Sequence, residues 1–236
     1  MIPFHTSQHR TDWVMRMSVP HPRPWPPREQ QARWAVFGDS NCWGMALADP
    51  DQAFHRGLPN GALNFAAPGT GADAVLLNLV RARQLYQWQS TVVILPDAHR
   101  AMVRIATPEG WCRVPVESHT HQWHSCSLRQ YATRQGWSRE WHRQAQRQYE
   151  HTVAQRIMRP QDHRLRRLIQ RIVKLMPTDE YIITSHNTDT HYRISEVVDS
   201  DHRLPVWLRQ DQATDGRHHG PESHHTLRQQ LIDHNW

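Results

Sequence analysis

Hydrophobic positions in this chain gather into short runs separated by longer stretches of helical spacing. Four runs stand out: Trp34-Ala35-Val36-Phe37, Leu63-Asn64-Phe65-Ala66-Ala67, Thr91-Val92-Val93-Ile94-Leu95 and Tyr181-Ile182-Ile183-Thr184. Each is too short for a helix and is closed by a glycine, a proline or a polar turn, so each predicts a buried strand. Between them Ala74, Val75, Leu77, Leu79 and Val80 recur at helical spacing, ending before Gln87. So do Leu165, Leu168, Ile169, Ile172, Leu175 and Met176, with arginines opposite and Pro177 as the stop. A further helix should begin near Ser40 and run through Met45 and Leu47, and Gly220-Pro221 opens a last one over about 221–233. Apolar strands alternating with amphipathic helices predict an α/β fold. Its core would be a parallel sheet of about five strands, covered on both faces.

Two stretches break this rhythm. Residues 1–30 carry Pro20, Pro22, Pro24, Pro26 and Pro27 with Trp13 and Trp25 among them, which predicts an extended arm. Residues 99–150 hold Trp111, Trp123, Trp137 and Trp141 with His119, His121, His124 and His142. They show little periodicity before a helix at about 138–158 and read as an insertion at one edge of the sheet, where insertions shape binding sites. The remainder, residues 31–236 with this insertion, is read as a single domain.

Composition narrows the function classes. The 28 basic residues exceed the 22 acidic ones by six, and Lys174 is the single lysine. The arginines are scattered rather than blocked and no compact nucleic-acid motif accompanies them, so they read as solvated surface and nucleic acid is not an expected partner. No apolar run approaches about 18 residues, which excludes a spanning helix. The first residues lack a positive segment followed by an apolar one, so an intracellular protein is expected. Cys42, Cys112 and Cys126 lack CxxC spacing, and free thiols are expected. His119-x-His121-x-x-His124 has the residue types of a metal site, but no firm element brings the rings together, so neither metal nor cofactor is expected.

Chemistry concentrates at two places. Gly38-Asp39-Ser40 sits at the turn from the first strand into the first helix, where free backbone N–H groups favour developing negative charge. Serine and aspartate are also common N-caps, so the segment alone supports a capped helix equally well. Near the far end, Asp215-x-x-His218 lies in the connection into the last helix. There a carboxylate can accept from the ring Nδ1–H and leave Nε2 as a base, although a surface pair would have the same spacing. Taken together they supply a nucleophile, a base and an orienter on the strand-end edge where open parallel sheets bind ligands.

The Gly38-Asp39-Ser40 block, the Asn64-Phe65-Ala66-Ala67-Pro68-Gly69 block and Asp215-x-x-His218 resemble, in order and spacing, the SGNH or GDSL-type hydrolases. The resemblance spans about 33–96 and 181–233. It implies a flavodoxin-like three-layer α/β/α fold and ester hydrolysis through an acyl-enzyme. Ser40 would be the nucleophile, His218 the base and Asp215 its orienter, with the N–H groups of Ser40 and Gly69 as the oxyanion hole. One departure is plain: the third block of that family carries Gly-x-Asn-Asp, whereas this chain has Leu95-Pro96-Asp97-Ala98-His99-Arg100. His99 or Arg100 would supply the missing donor, or the hole would work with two. Asp39, Asp97, His99 and Arg100 are expected to line the site, Asp39 by holding the turn, and Cys42 is expected to be an inert thiol. The expected substrate is a small-molecule or carbohydrate ester, with the tryptophans of the insertion either stacking on sugar rings or forming its own core. The contrasting reading is a non-catalytic module on the same fold that holds a glycan or anionic polymer.

Overall fold

The computed structural model describes residues 26–27, 30–67, 71–98, 100–107, 110–116, 118–119, 122–123, 136–157, 161–176 and 180–234. Side chains are described outside 101–135, 149 and 152–162. Most of the arm, Pro68-Gly69-Thr70, His99, and His121 and His124 of the histidine-rich stretch lie outside the described residues.

The four apolar runs supply four parallel strands: β1 (Trp34–Phe37), β2 (Ala62–Asn64), β3 (Ser90–Leu95) and β8 (Tyr181–Ser185). They lie in the order β2-β1-β3-β8, with Val36 beside Asn64 and Val92 and with Val93 beside Ile183. A fifth strip is rudimentary. Arg203 makes a single parallel bridge to Ile183, and the Trp207 N–H reaches the Ser185 carbonyl at 2.9 Å. Pro205 between them has no N–H to give a ladder, which is why about five strands becomes four and a fragment.

Alternate residues of the strands face opposite layers, the two-residue period of extended chain. On one face Ala35, Phe37, Leu63, Phe65, Val93, Leu95 and Ile183 pack against α2 (Ala72–Leu85) and α4 (Gln161–Lys174). Ile194 of α5 (Thr188–Ser195) joins them. On the other, Trp34, Val36, Val92, Ile94 and Ile182 meet Phe54, Leu58 and Trp207, with Leu227 and Leu231 of α6 (Pro221–Asp233). Helices therefore cover both faces, and the α/β architecture with its parallel sheet is as the apolar pattern requires. At about 1.5–3 kcal/mol for each large side chain buried, these two layers carry the fold.

Two elements depart from the sequence expectation. The first helix, α1 (Ser40–Trp43), is one turn long rather than extending to Leu47. Gly44 ends it in the left-handed conformation at φ 80°, its N–H returning to the carbonyls of Asn41 and Ser40, and Ala46 at φ 62° prevents a restart. Within 99–150 the chain forms an antiparallel hairpin, β4 (Ala101–Thr107) with β5 (Gly110–Val116), and a short pair β6 (Ser118–His119) with β7 (Gln122–Trp123). The helix closing that stretch, α3 (Arg139–Ile157), lies where helical spacing begins.

Candidate active site

Residues just past the carboxyl ends of β1, β3 and β8, namely Asp39, Arg100 and His186, meet beside Ser40. The sheet order reverses between β1 and β3, and the turn after β1 sits at that crevice. Gly38 makes the turn possible. A Cβ there would lie 2.5 Å from the Cys42 Cβ and 2.9 Å from the Ile94 carbonyl oxygen. Asp39 follows in extended conformation as the N-cap, its Oδ1 accepting from the Asn41 N–H at 3.0 Å. Ser40 then begins α1 at 4% exposure, and no partner for its N–H is present among the described residues.

The loop before α6 brings the second segment. His218 Nε2 lies 3.0 Å from the Ser40 hydroxyl oxygen, and His218 Nδ1 lies 2.6 Å from Asp215 Oδ2. Asp215 Oδ1 accepts from the N–H groups of Arg217 and His218 at 3.0 and 3.1 Å. Partial burial would raise this carboxyl. The two backbone donors and the His218 ring outweigh it and hold Asp215 down at about 2. An ionised carboxylate only accepts, so the proton between them sits on Nδ1 and the Nε2 lone pair faces the serine.

The loop is fastened from both sides. Thr214 reaches back to the Ala46 carbonyl with its N–H at 3.1 Å and its hydroxyl at 2.8 Å. The His219 N–H donates to Asn41 Oδ1 at 3.0 Å, so a buried side chain of α1 docks the residue beside His218. Asp211 accepts from the Glu222 and Ser223 N–H groups, both at 2.9 Å, and so caps α6 from a distance. Gly220 leaves room for that carboxylate, whose Oδ2 would stand 2.4 Å from an added Cβ.

Behind the serine lies a charged cluster. Asp39 is wholly buried, and its Oδ2 lies 2.8 Å from Arg100 Nη1 and 3.3 Å from His186 Nε2. Burial would raise the Asp39 carboxyl, but the charges of His186 and Arg100 and the N–H groups of Asn41 and Cys42 lower it. Burial pushes His186 down against the pull of Asp39. His219, 4.2 Å from the Trp207 ring, is driven to about 3 by burial and then by His186 and His224. His224 takes the Phe54 N–H on Nδ1 at 3.3 Å and is pushed to about 4, chiefly by burial. Burial, then Asp39, raises the Cys42 thiol well above its ordinary value, and a thiol held protonated is a poor nucleophile.

Of the residues singled out from sequence, the structure brings together Ser40, His218 and Asp215, and sets Asp39 and Arg100 directly behind them. Asp97 lies near enough to His186 to act on its charge, whereas Gly69 and His99 fall outside the described residues. Sequence reasoning missed His186, Asn41 and Trp207. His186 had one available signal, its position just past the fourth apolar run, where strand ends carry ligands. Asn41 had none. No group of three metal-ligating side chains is found among the described residues, and no helix among them is long and apolar enough to cross a membrane.

A scan against protein-family models finds no match, and a search of curated proteins finds none either. Among solved structures, the crystal structure of TesA is similar with a TM-score of 0.42 and 11% identity, covering 85% of this chain and 96% of that one. At that score and identity the likeness carries no functional argument.

Proposed function

We propose that this protein is a serine-dependent hydrolase of carboxylic esters, of the SGNH type its motifs resemble. One observation carries the reading: the unbroken line from the Ser40 hydroxyl to His218 Nε2 at 3.0 Å and from His218 Nδ1 to Asp215 at 2.6 Å. A serine hydroxyl is a weak nucleophile until a neighbouring base takes its proton, and a base works best when its tautomer is fixed. As Ser40 Oγ bonds to the ester carbonyl carbon, His218 Nε2 accepts the hydroxyl proton and Asp215 steadies the imidazolium. The carbonyl oxygen becomes an oxyanion beside the Ser40 N–H, with the Gly69 N–H as the second donor the resemblance implies. Collapse expels the alcohol, which leaves with the proton from His218. Water then attacks the acyl-serine with the same imidazole as base, releasing the acid and restoring Ser40. The favoured substrate class is a small-molecule ester or an O-acyl carbohydrate, the latter because of the tryptophan-rich 99–150 stretch.

One observation favours the non-catalytic alternative, a glycan- or anion-holding module. Arg100, which follows the strand where that family places its donating asparagine, spends Nη1 on Asp39. Reaction with a fluorophosphonate probe separates the two readings. The hydrolase reading expects one phosphonyl group on the peptide containing Ser40, absent from Ser40→Ala. An unlabelled wild type overturns it in favour of the binding module.

A further inference from the structure

A serine or asparagine would cap α1 as well as Asp39 does, without placing a charge in the core. Asp39 is nevertheless a carboxylate with no exposed surface, and only one of its oxygens serves the cap. The other gathers Arg100 Nη1 from the loop after β3 and His186 Nε2 from the bend after β8. That bend is itself fixed, because the Ser185 hydroxyl donates to the Leu95 carbonyl at 2.8 Å and accepts from the Asn187 N–H at 3.0 Å. Three strand ends therefore meet on one carboxylate whose own residue precedes Ser40. A buried charge with two partners is costly to form and costlier to break, which makes such an arrangement rigid.

We propose that Arg100 and His186 are positioning residues for the serine: through Asp39 they hold the one-turn helix so that the Ser40 hydroxyl meets His218 and its N–H stays open to the oxyanion. The proposal rests on the hydrolase reading and adds what sets the nucleophile's aim. Arg100 thus answers the missing asparagine in a different way, by tightening the turn that carries the donor. Asp39 also takes the Asn41 N–H, leaving the Ser40 N–H at the tip of α1 without a partner among the described residues. The charge balance is what matters. The groups facing Asp39 are Arg100, His186 and the Cys42 thiol, and those facing His186 include Asp97 and His218. With Arg100 removed, burial prevails over the remaining partners and Asp39 takes up a proton at higher pH.

The test is the second-order rate of fluorophosphonate labelling at Ser40 as a function of pH, with thermal melting as the folding control. Arg100→Met should label about tenfold or more slowly, with its acid limb moved to higher pH as Asp39 protonates. Arg100→Lys, which restores the charge, should recover most of the rate and return the limb. Asp39→Asn combined with Arg100→Met should label faster than Arg100→Met alone, because the pair is removed together instead of leaving a carboxylate stranded. A wild type that labels while Arg100→Met labels equally fast, or more slowly with an unmoved pH profile and no rescue by lysine, overturns the positioning role alone. A wild type that does not label overturns it together with the hydrolase reading.

Discussion

The two halves of the candidate site are built in opposite ways. Ser40 stands on a turn pressed into the core, with Asp39 at 0% exposure and neighbours from three strand ends. His218 stands on a surface loop, where the Asp215 side chain is 33% exposed. The first half is fixed by packing and buried charge, the second by hydrogen bonds to backbone. Thr214 bonds the Ala46 carbonyl, Asn41 holds the His219 N–H and Asp211 holds the start of α6. The position of Ser40 is therefore tied to the stability of the whole domain, whereas the His218 loop can loosen while the sheet stays folded.

Breaking either end of the line is the severest test of this contrast. Ser40→Ala and His218→Ala should each lower ester turnover by about 10⁴–10⁶-fold, read with a short-chain aryl ester. The melting temperature should hold for His218→Ala, since its loop is superficial. Asp215→Asn should cost about 10³–10⁴-fold by losing the tautomer. Because Asp215 is held down at about 2, acidifying the wild type should leave this carboxylate ionised and bonded to the His218 ring until near pH 2, so a pH–rate profile should show no step from Asp215 above that.

The core half makes its own demand on pH. His219 and His224 sit at about 3 and about 4 when folded, below the ordinary 6.5 of imidazole. The unfolded chain therefore binds the extra protons. Their contribution to stability is whole above pH 6.5 and is lost as pH falls through 4 and then 3. Melting should drop by roughly 10 °C between pH 7 and pH 4, and a flat curve would contradict the buried neutral histidines.

Smaller effects sharpen the comparison. Gly38→Ala forces a Cβ against the Cys42 side chain and the Ile94 carbonyl, so about 1–3 kcal/mol of stability should go, with activity falling alongside. Asp211→Ala removes the remote cap of α6. It should cost about 1 kcal/mol, a shift of roughly 2–4 °C. Turnover should fall without any loss of Ser40 labelling at saturating probe.

Much of this was legible in particular residues. Thr91–Leu95 announces a strand because β-branched residues suit a pleated surface, and Gly38, Ser40, Asp215 and His218 announce chemistry by type and spacing. What escaped depends on where distant segments meet. Nothing local tells that Arg100 turns inward to Asp39, since a carboxylate 61 positions away is its reason for doing so. His186 is ordinary until the sheet order sets the end of β8 beside β3. The hairpin β4–β5 was hidden because Pro108-Glu109, which joins its strands, is not a tight-turn pair, and Arg104 and Arg113 interrupt the apolar runs. The early end of α1 was written in Gly44, whose left-handed cap outweighed the apolar spacing beyond it.

The most direct measurement is to weigh the acyl-enzyme. Protein mixed with a short-chain aryl ester, quenched in acid during turnover and digested, should carry the acyl mass on the peptide containing Ser40, and His218→Ala should carry none in the same interval. Continued ester turnover with that peptide unmodified, or with the acyl group on another residue, would contradict the assignment of Ser40 as the nucleophile.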